Sequence, residues 1–411
     1  MQLQKYKFLS ETAQKILKER TETSYQMRDD LKIRTYSQNE VKDLLKFTDK
    51  KYSKQKVSRA MDEMTAAGYT FSRGNNNHYI LSRDDVLAIA EHLDVTKFRD
   101  EYDNGAYVIT MLNLKGGVGK SLATNMLSHA LSYLDQYILR EPRVLIIDLD
   151  PQGTSSQQNV PAYDVSDTEF TSINAMAVEL TKEEILDSAI ISTEHRNLSI
   201  IKCTTDDGFI ADELANDDVC KGAYVGSLLQ TRVIDKIKDE FDFILLDVGP
   251  HLDSVLKNAL WASDLLIAPV PPTFVNFDST LRMMHRLYEV MEDLVDNGLA
   301  DEDLPEITAF LTKMPIDTKE SAYDHQINEA ANKELNLLFS GDGLSLLSKE
   351  LYHEDAYERC LELGHTIFAI HKGDYPGDAK AFNRALFTAT KWAVNIMDQI
   401  DIRMKKRMAK R

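Results

Sequence analysis

Nine residues, "NLKGGVGKS" at 113–121, combine the side-chain types that phosphate binding requires. Glycines let successive backbone N–H groups converge on phosphate oxygens, and a helix starting just after them adds its positive end. In such a loop Lys120 is expected to hold the β and γ phosphates and the Ser121 hydroxyl to take a place on Mg²⁺. Gly116, Gly117, Val118, Gly119 and Leu122 complete the candidate nucleotide contacts. The fit to G-x-x-x-x-G-K-[ST] is loose, because Leu114 stands where the first glycine should be. One lysine is enough to hold a phosphate, so Lys115, the other lysine of the loop, is surplus to that chemistry.

Hydrolysis of a phosphoanhydride also needs a metal shell and a water placed in line with the γ phosphate. Two apolar runs end in carboxylates suited to this work. "RVLIIDLD" (143–150) delivers Asp148 and Asp150, and "FDFILLDVG" (241–249) delivers Asp247. Asp247 is of the type that supports Mg²⁺, directly or through water. One of Asp148 and Asp150 should orient the water while the other supports the magnesium shell, and the pattern leaves open which.

These residues need a scaffold, and the flanking patterns supply one. "YVITMLNL" is a short apolar strand running straight into the glycine loop, and "DLLIAPVPP" (264–272) and "ITAFLTKM" (307–314) are further strands. Helical stretches at 121–134, 227–240 and 277–295 lie between them. Apolar strands alternating with helices predict a parallel sheet, with ligands at the carboxyl ends of its strands.

The N-terminal hundred residues read differently. Residues 7–34 form a long polar helix with sparse apolar positions (Phe8, Ile16, Leu17, Leu31), which cannot bury much alone. Ser37 and Glu40 make a capping box for a second helix. Ser53 caps a third, whose Val57, Ala60, Met61, Met64 and Ala67 share one face, with Gly68 as the stop. "YTFSRGNNNHYILS" (69–82) reads as two short strands around a Gly/Asn turn. Helix, turn, helix, hairpin is the order of a winged helix-turn-helix. The exposed side of the third helix offers Ser53, Lys54, Gln55, Lys56, Ser58 and Arg59, and the turn offers Arg73 and Asn75 to His78, placed to meet DNA bases and phosphates.

Composition sets the outer bounds. With 43% hydrophobic and 28% charged residues and no apolar run long enough to span a bilayer, the sequence reads as a soluble globular chain. The N-terminus is too charged for a secretory signal. Cys203, Cys220 and Cys360 show neither metal-ligand nor disulfide spacing, consistent with a reducing cytoplasm. The net charge of −18 is unevenly spread: the first hundred residues are slightly basic, the middle is acidic, and the tail "RMKKRMAKR" is strongly basic.

Taken together, "KGGVGKS", "VLIIDLDPQG" and "FILLDVGPHLDSVLKNAL" resemble the deviant Walker family of partition ATPases, ParA and its MinD relatives. The long N-terminal helix, the winged domain and "PHLD" resemble the larger ParA type, which segregates plasmids and some secondary chromosomes. The resemblance implies an α/β fold: a parallel-sheet P-loop ATPase domain (104–411) behind an N-terminal dimerisation helix (1–36) and a winged helix-turn-helix (37–103). It implies Mg²⁺-dependent, slow ATP hydrolysis and an ATP-dependent sandwich homodimer, with higher-order filaments on DNA a further possibility. Lys115 would reach the phosphates of the facing subunit, Asp150 would orient water, and Asp148 would stand on the magnesium side. Lys313 and Met314 in "TKMP" (312–315) fall where the family contacts adenine, and "PVPPTFVNFDS" (269–279) matches a segment near the nucleotide. "YERCLELG" (357–364) resembles a stretch implicated in nonspecific DNA binding, making Arg359 a candidate, with Lys380, Arg384 and Lys391 on the last helices. Such binding should weaken strongly with salt. A ParB-type centromere-binding partner would stimulate hydrolysis, the winged domain would repress its own operon, and the protein would work on the nucleoid in the bacterial cytoplasm.

Two other readings compete. Met397, Ile400, Met404 and Met408, set among bases, would suit a MinD-like amphipathic helix on a lipid surface. That reading is the weaker one, because it leaves the winged domain unexplained. A transcriptional repressor whose ATPase only regulates operator binding is the other. The redox-ATPase branch would need paired cysteines that the sequence lacks.

Overall fold

The computed structural model of the chain describes residues 2–29, 34–48, 52–102, 105–160, 170–316 and 322–410. Helix α1 (Gln2–Asp29) comes first. It begins earlier than the expected residue 7, and residues 30–33 of the expected span lie outside the described residues. Helices α2 (Gln38–Leu44), α3 (Lys54–Ala66) and α4 (Arg83–His92) follow. The Ser37–Glu40 capping box forms with both bonds present, and Ser53 caps α3 by accepting from the Lys56 amide. Val57, Ala60, Met61 and Met64 are buried on the inner face of α3, as its helical spacing requires.

The expected hairpin at 69–82 is shorter than two strands. It reduces to a single bridge, Arg73 with Tyr79, while Leu81 pairs instead with Tyr36 from before α2. Gly74 to His78 use up the reach of the segment in a tight turn, closed by Asn77 N–H donating to Gly74 O, so little extended chain is left to pair.

The remainder winds around one sheet. In chain order the elements that matter are β1 (Tyr107–Met111), α5 (Lys120–Tyr133), β2 (Val144–Leu149), α6 (Thr154–Asn159), β3 (Ile190–Ser192) and β4 (Leu198–Ile201). Then come β5 (Phe243–Val248), α7 (Ser254–Ala262), β6 (Leu265–Val270), α8 (Phe274–Asp296), β7 (Glu306–Met314), β8 (Ser345–Leu346) and β9 (Leu351–Tyr352). Helices α9 (Asp355–Glu362) and α10 (Ala379–Lys410) close the described chain. The strand order is β3-β4-β2-β5-β1-β6-β7-β8, with β9 also on β7, and only the β3–β4 pair is antiparallel. All five strands read from the apolar runs are present; β3, β4, β8 and β9 are additional, being too short to announce themselves.

Both faces of the sheet are covered, which explains why its strands read as continuous apolar runs. Tyr107, Ile109 and Met111 of β1 point into one core with α5 and α10, whereas Val108 points into the other with α7 and α8. One expected helix, 227–240, is broken into a 3-10 turn, a π turn and a single α turn. The cause is Asn258 on α7. Its Oδ1 accepts from Leu229 N–H and its Nδ2 donates to Val225 O, each at 2.7 Å. Those are the two backbone groups that a regular helix would join i to i−4.

The N-terminal helices are docked on the sheet rather than tethered beside it. Ile138 and Leu139, from just after α5, are buried inside the α2–α4 core. Arg83 donates to Asn197, Lys97 pairs with Glu141, and Arg140 pairs with Glu101 at 2.7 Å.

Candidate nucleotide and DNA sites

The glycine loop leaves β1 at the middle of the sheet's carboxyl edge and ends in α5. Gly117 and Gly119 have φ of +73° and +98°, the left-handed region that side-chain-bearing residues avoid. Buried Asn113 fixes the loop's entry: its Oδ1 accepts from Lys115 N–H, while its Nδ2 donates to Pro269 O and Thr280 Oγ1. Leu114, at the position where the pattern asks for glycine, packs against the core beside Met283 and anchors the loop by its side chain. Lys120 is buried, and its ammonium donates to Lys115 O at 3.2 Å. Burial pulls its pKa below the usual lysine value, against the opposing influence of Asp247 and Asp150. Lys115 is half-buried at the rim, and its ammonium meets no hydrogen-bond or ion-pair partner among the described residues.

Parallel pairing of β2 with β5 sets Asp148 directly beside Asp247. Both carboxyls are buried. Burial and the neighbouring Asp247 push the Asp148 carboxyl well above the ordinary range, while burial raises Asp247 to about 6. The serines of α6 divide between them. Ser156 gives both its N–H and its hydroxyl to Asp148 Oδ2, and Ser155 Oγ donates to Asp247 Oδ2 at 2.6 Å. Asp150 lies two residues beyond Asp148, just past the end of β2, half-buried, receiving the Gln152 N–H and facing Gly249, where a Cβ would stand 3.5 Å from its Cγ.

These residues fit a hard divalent cation. Asp247 Oδ1 is buried without a hydrogen-bond partner among the described residues, and, against the burial that raises it, the carboxyl's pKa is pulled down by the nearby Ser121 side chain. Carboxylate and hydroxyl oxygens are the donor set that magnesium prefers. Ser121, Asp148, Asp247, Lys120 and Asp150 are therefore gathered in one place. The β7 end joins them, since Thr312 Oγ1 lies 3.6 Å from where a Gly119 Cβ would be. Lys313 has φ +55° at a bulge in β7, with Met314 half-buried beside it. Sequence reasoning missed Ser155 and Ser156, although "TSS" directly after "DLDPQG" was a legible signal of hydroxyls entering the site.

The DNA candidates form two groups. Lys54, Lys56 and Arg59 lie exposed along α3, with Ser53 at its cap. Lys56 sits over the Tyr52 ring, and Arg59 pairs with Glu63, which also takes His92. Arg73 stacks on Tyr79 at the turn. In the second group, exposed Arg359 lies against Tyr375 and Gly377, next to the start of α10, where Lys380 stands. Arg384 departs from the expectation of an open base. It makes a two-pronged pair with Glu354, both bonds 2.7 Å, and Glu354 is only 3% exposed. Lys391 lies over the Phe387 ring.

The tail also differs from a surface helix. Met397, Ile400 and Met404 are buried against the sheet, and Arg403, Lys405 and Arg407 pair with Glu306, Asp401 and Asp264. No helix among the described residues is long and apolar enough to cross a membrane.

Comparison with known proteins gives family matches over two adjoining regions. Residues 106–300 match the AAA domain family, and residues 5–102 match the ParA helix turn helix domain. Plasmid partition protein A of Escherichia coli is 34% identical over 351 residues, covering 84% of this chain and 85% of that protein. A solved partition protein superposes with a TM-score of 0.71 at 27% identity, over 96% of this chain and 97% of its own. A Cyanothece McdA–ATP complex shares the fold of the sheet domain, with TM-score 0.52 and 17% identity over 69% of this chain and 96% of its own.

Proposed function

The chain belongs to the plasmid partition protein A (ParA) family, and from that premise we propose that it is a Mg²⁺-dependent ATPase that uses nucleotide state to control its hold on DNA during replicon segregation. The observation that carries this reading is the buried pair Asp148 and Asp247 beside Lys120, with one Asp247 oxygen unpartnered, on a chain that also bears a helix-turn-helix.

The geometry and the resemblance to the family together support the following roles. Backbone amides of Gly116 to Lys120 cradle the phosphates, and the Lys120 ammonium leaves Lys115 O for the β and γ oxygens. Ser121 and Asp247, with Asp148 behind, would hold magnesium, which would supply neutralisation of charge on those oxygens. Asp150, outermost of the carboxylates, orients the attacking water. Lys313 and Met314 would contact the base. Lys115 serves the phosphates of a second subunit, so ATP closes a sandwich dimer. The chain divides at 1–36, 37–103 and 104–411, with α1 in self-association and α3 with Arg73 on an operator. Arg359 and Lys380 hold nonspecific DNA on the nucleoid, Lys391 adds to them, and Arg384 keeps its segment folded. A ParB-type partner completes the catalytic arrangement and accelerates a slow intrinsic turnover. The buried apolar face of α10 argues against the lipid-surface reading.

Lys115→Ala tests the arrangement. We expect it to bind ATP as the wild type does, while losing hydrolysis and the ATP-dependent dimer in light scattering. Normal turnover by a monomeric Lys115→Ala protein would remove the sandwich from the account.

A further inference from the structure

Behind the metal-side carboxylates lies a series of buried polar groups that the hydrolytic chemistry does not use. Ser155 Oγ, donor to Asp247, itself accepts from Asn125 Nδ2 at 2.9 Å. Asn125 Oδ1 accepts from Asn159 Nδ2 at 2.5 Å. Asn159 Oδ1 faces His129 Nε2 at 3.4 Å, and His129 Nδ1 accepts from the Thr366 N–H at 3.3 Å. Because Nδ1 is an acceptor here, the neutral ring carries its proton on Nε2, aimed at Asn159. Five hydrogen bonds thus run head to tail, every donor pointing toward the Asp247 carboxyl.

The far end is a junction. Ala369 N–H donates to Thr366 O, and Ala369 O accepts from the Arg34 N–H at 3.3 Å. Arg34 lies between α1 and the Tyr36 bridge that closes the helix-turn-helix. The His129 ring is clamped in place: its centroid is 4.2 Å from that of His195, whose Nδ1 is bonded to Tyr133 OH at 2.7 Å.

We propose that Asn125, Asn159 and His129 are positioning residues that act through Ser155 on the magnesium-side carboxylate, and that the same relay reports the occupancy of that carboxylate to the Arg34–Tyr36 joint. The inference rests on the reading of Asp247 as a magnesium-side group. A cation on Asp247 draws charge from the acceptor that terminates the series, and each donor behind it loses polarisation. Ser155 and Asn159 both project from α6, so a shift of Ser155 carries Asn159 with it. The signal therefore travels as a displacement of one short helix and not by electronic effects alone.

Hydrogen exchange of the full-length protein tests this, with Mg²⁺ and a nonhydrolysable ATP analogue as the probe. Protection of residues 115–121 reports nucleotide binding, while the amides of Thr366 and Arg34 report the relay. We expect those two amides to exchange at least about fivefold faster on Mg²⁺-nucleotide binding, the low end of ordinary coupling factors. His129→Gln keeps a donor and an acceptor in similar places and should preserve the response. His129→Leu should abolish it while residues 115–121 stay protected, with Asn159→Ala as a second break should the leucine variant not fold. Protection at 115–121 without any change at 366 and 34, or an undiminished response in both broken variants, overturns the relay. Failure of 115–121 to respond at all would instead overturn the nucleotide reading beneath it.

Discussion

At the carboxyl edge of the sheet, Asp148 and Asp247 are buried, and Ser156 and Ser155 of α6, the latter backed by Asn125 of α5, hold one oxygen of each. The 28-residue helix α1 does the reverse, turning Leu3, Tyr6, Phe8, Leu9 and Leu17 to solvent. The first region is built to change one interaction at a time, because a buried polar group left unpaired is costly. The second holds several apolar side chains at its surface, and a long helix with exposed apolar side chains has surface to offer a partner. A switch needs both: a site where one phosphate or cation matters, and a surface whose contacts remain to be made.

The largest break in this contrast should come at the buried end. Lys120→Ala is expected to lower the ATP hydrolysis rate by about 10²–10³-fold, the usual cost of removing one charge-stabilising donor. Steady-state phosphate release measures it. A fall of only a few-fold would mean that the loop is not a phosphate site.

Arg384 sharpens the comparison, because it is a surface base with a buried partner. Arg384→Ala strands Glu354 and should cost about 3 kcal/mol of stability in urea unfolding. The affinity of the folded protein for DNA should scarcely change. Lost DNA affinity at unchanged stability would return Arg384 to the set of phosphate contacts.

Much of both ends was legible in the sequence: α1 reads as a long polar helix, and the glycine loop with its strand-end aspartates reads as a site. Gly117, Gly119, Lys120 and Ser121 are tied by local geometry at fixed spacing, and aspartates at the ends of apolar strands must meet once the strands lie parallel. Asn125, Asn159 and His129 were invisible because their partners lie 30 to 237 residues away and their types are ordinary on a helix. The broken helix at 225–237 was hidden for the same reason, being decided by Asn258. Charge runs say little about pairing: Arg403 and Arg407 of the basic tail meet Glu306 and Asp264, which only the fold brings near, while Lys405 pairs with Asp401 on its own helix.

A smaller effect should appear with pH. Burial raises Asp247 from 3.8 to about 6, so the folded state takes up this proton before the unfolded chain does. Its contribution to stability is full below the unfolded value and is lost as pH rises through about 6. A divalent cation competes for the same oxygens, so Mg²⁺ with ATP should raise the melting temperature more at pH 7.5 than at pH 5.5. An equal rise at both values would separate Asp247 from the metal.

The smallest expected effect belongs to single exposed bases. Lys54→Ala should weaken operator binding by a few-fold, uniformly across sequences, and reduce the slope of log affinity against log salt by about 1. A selective loss at one base position would show instead that Lys54 reads sequence.

The most direct measurement is the affinity of the wild-type protein for DNA of arbitrary sequence with ATP, with ADP and without nucleotide, set beside Lys120→Ala. Tight, salt-sensitive binding with ATP alone is expected in the wild type, with no ATP enhancement in the variant. Equal nonspecific binding by the wild type in all three nucleotide states would contradict it.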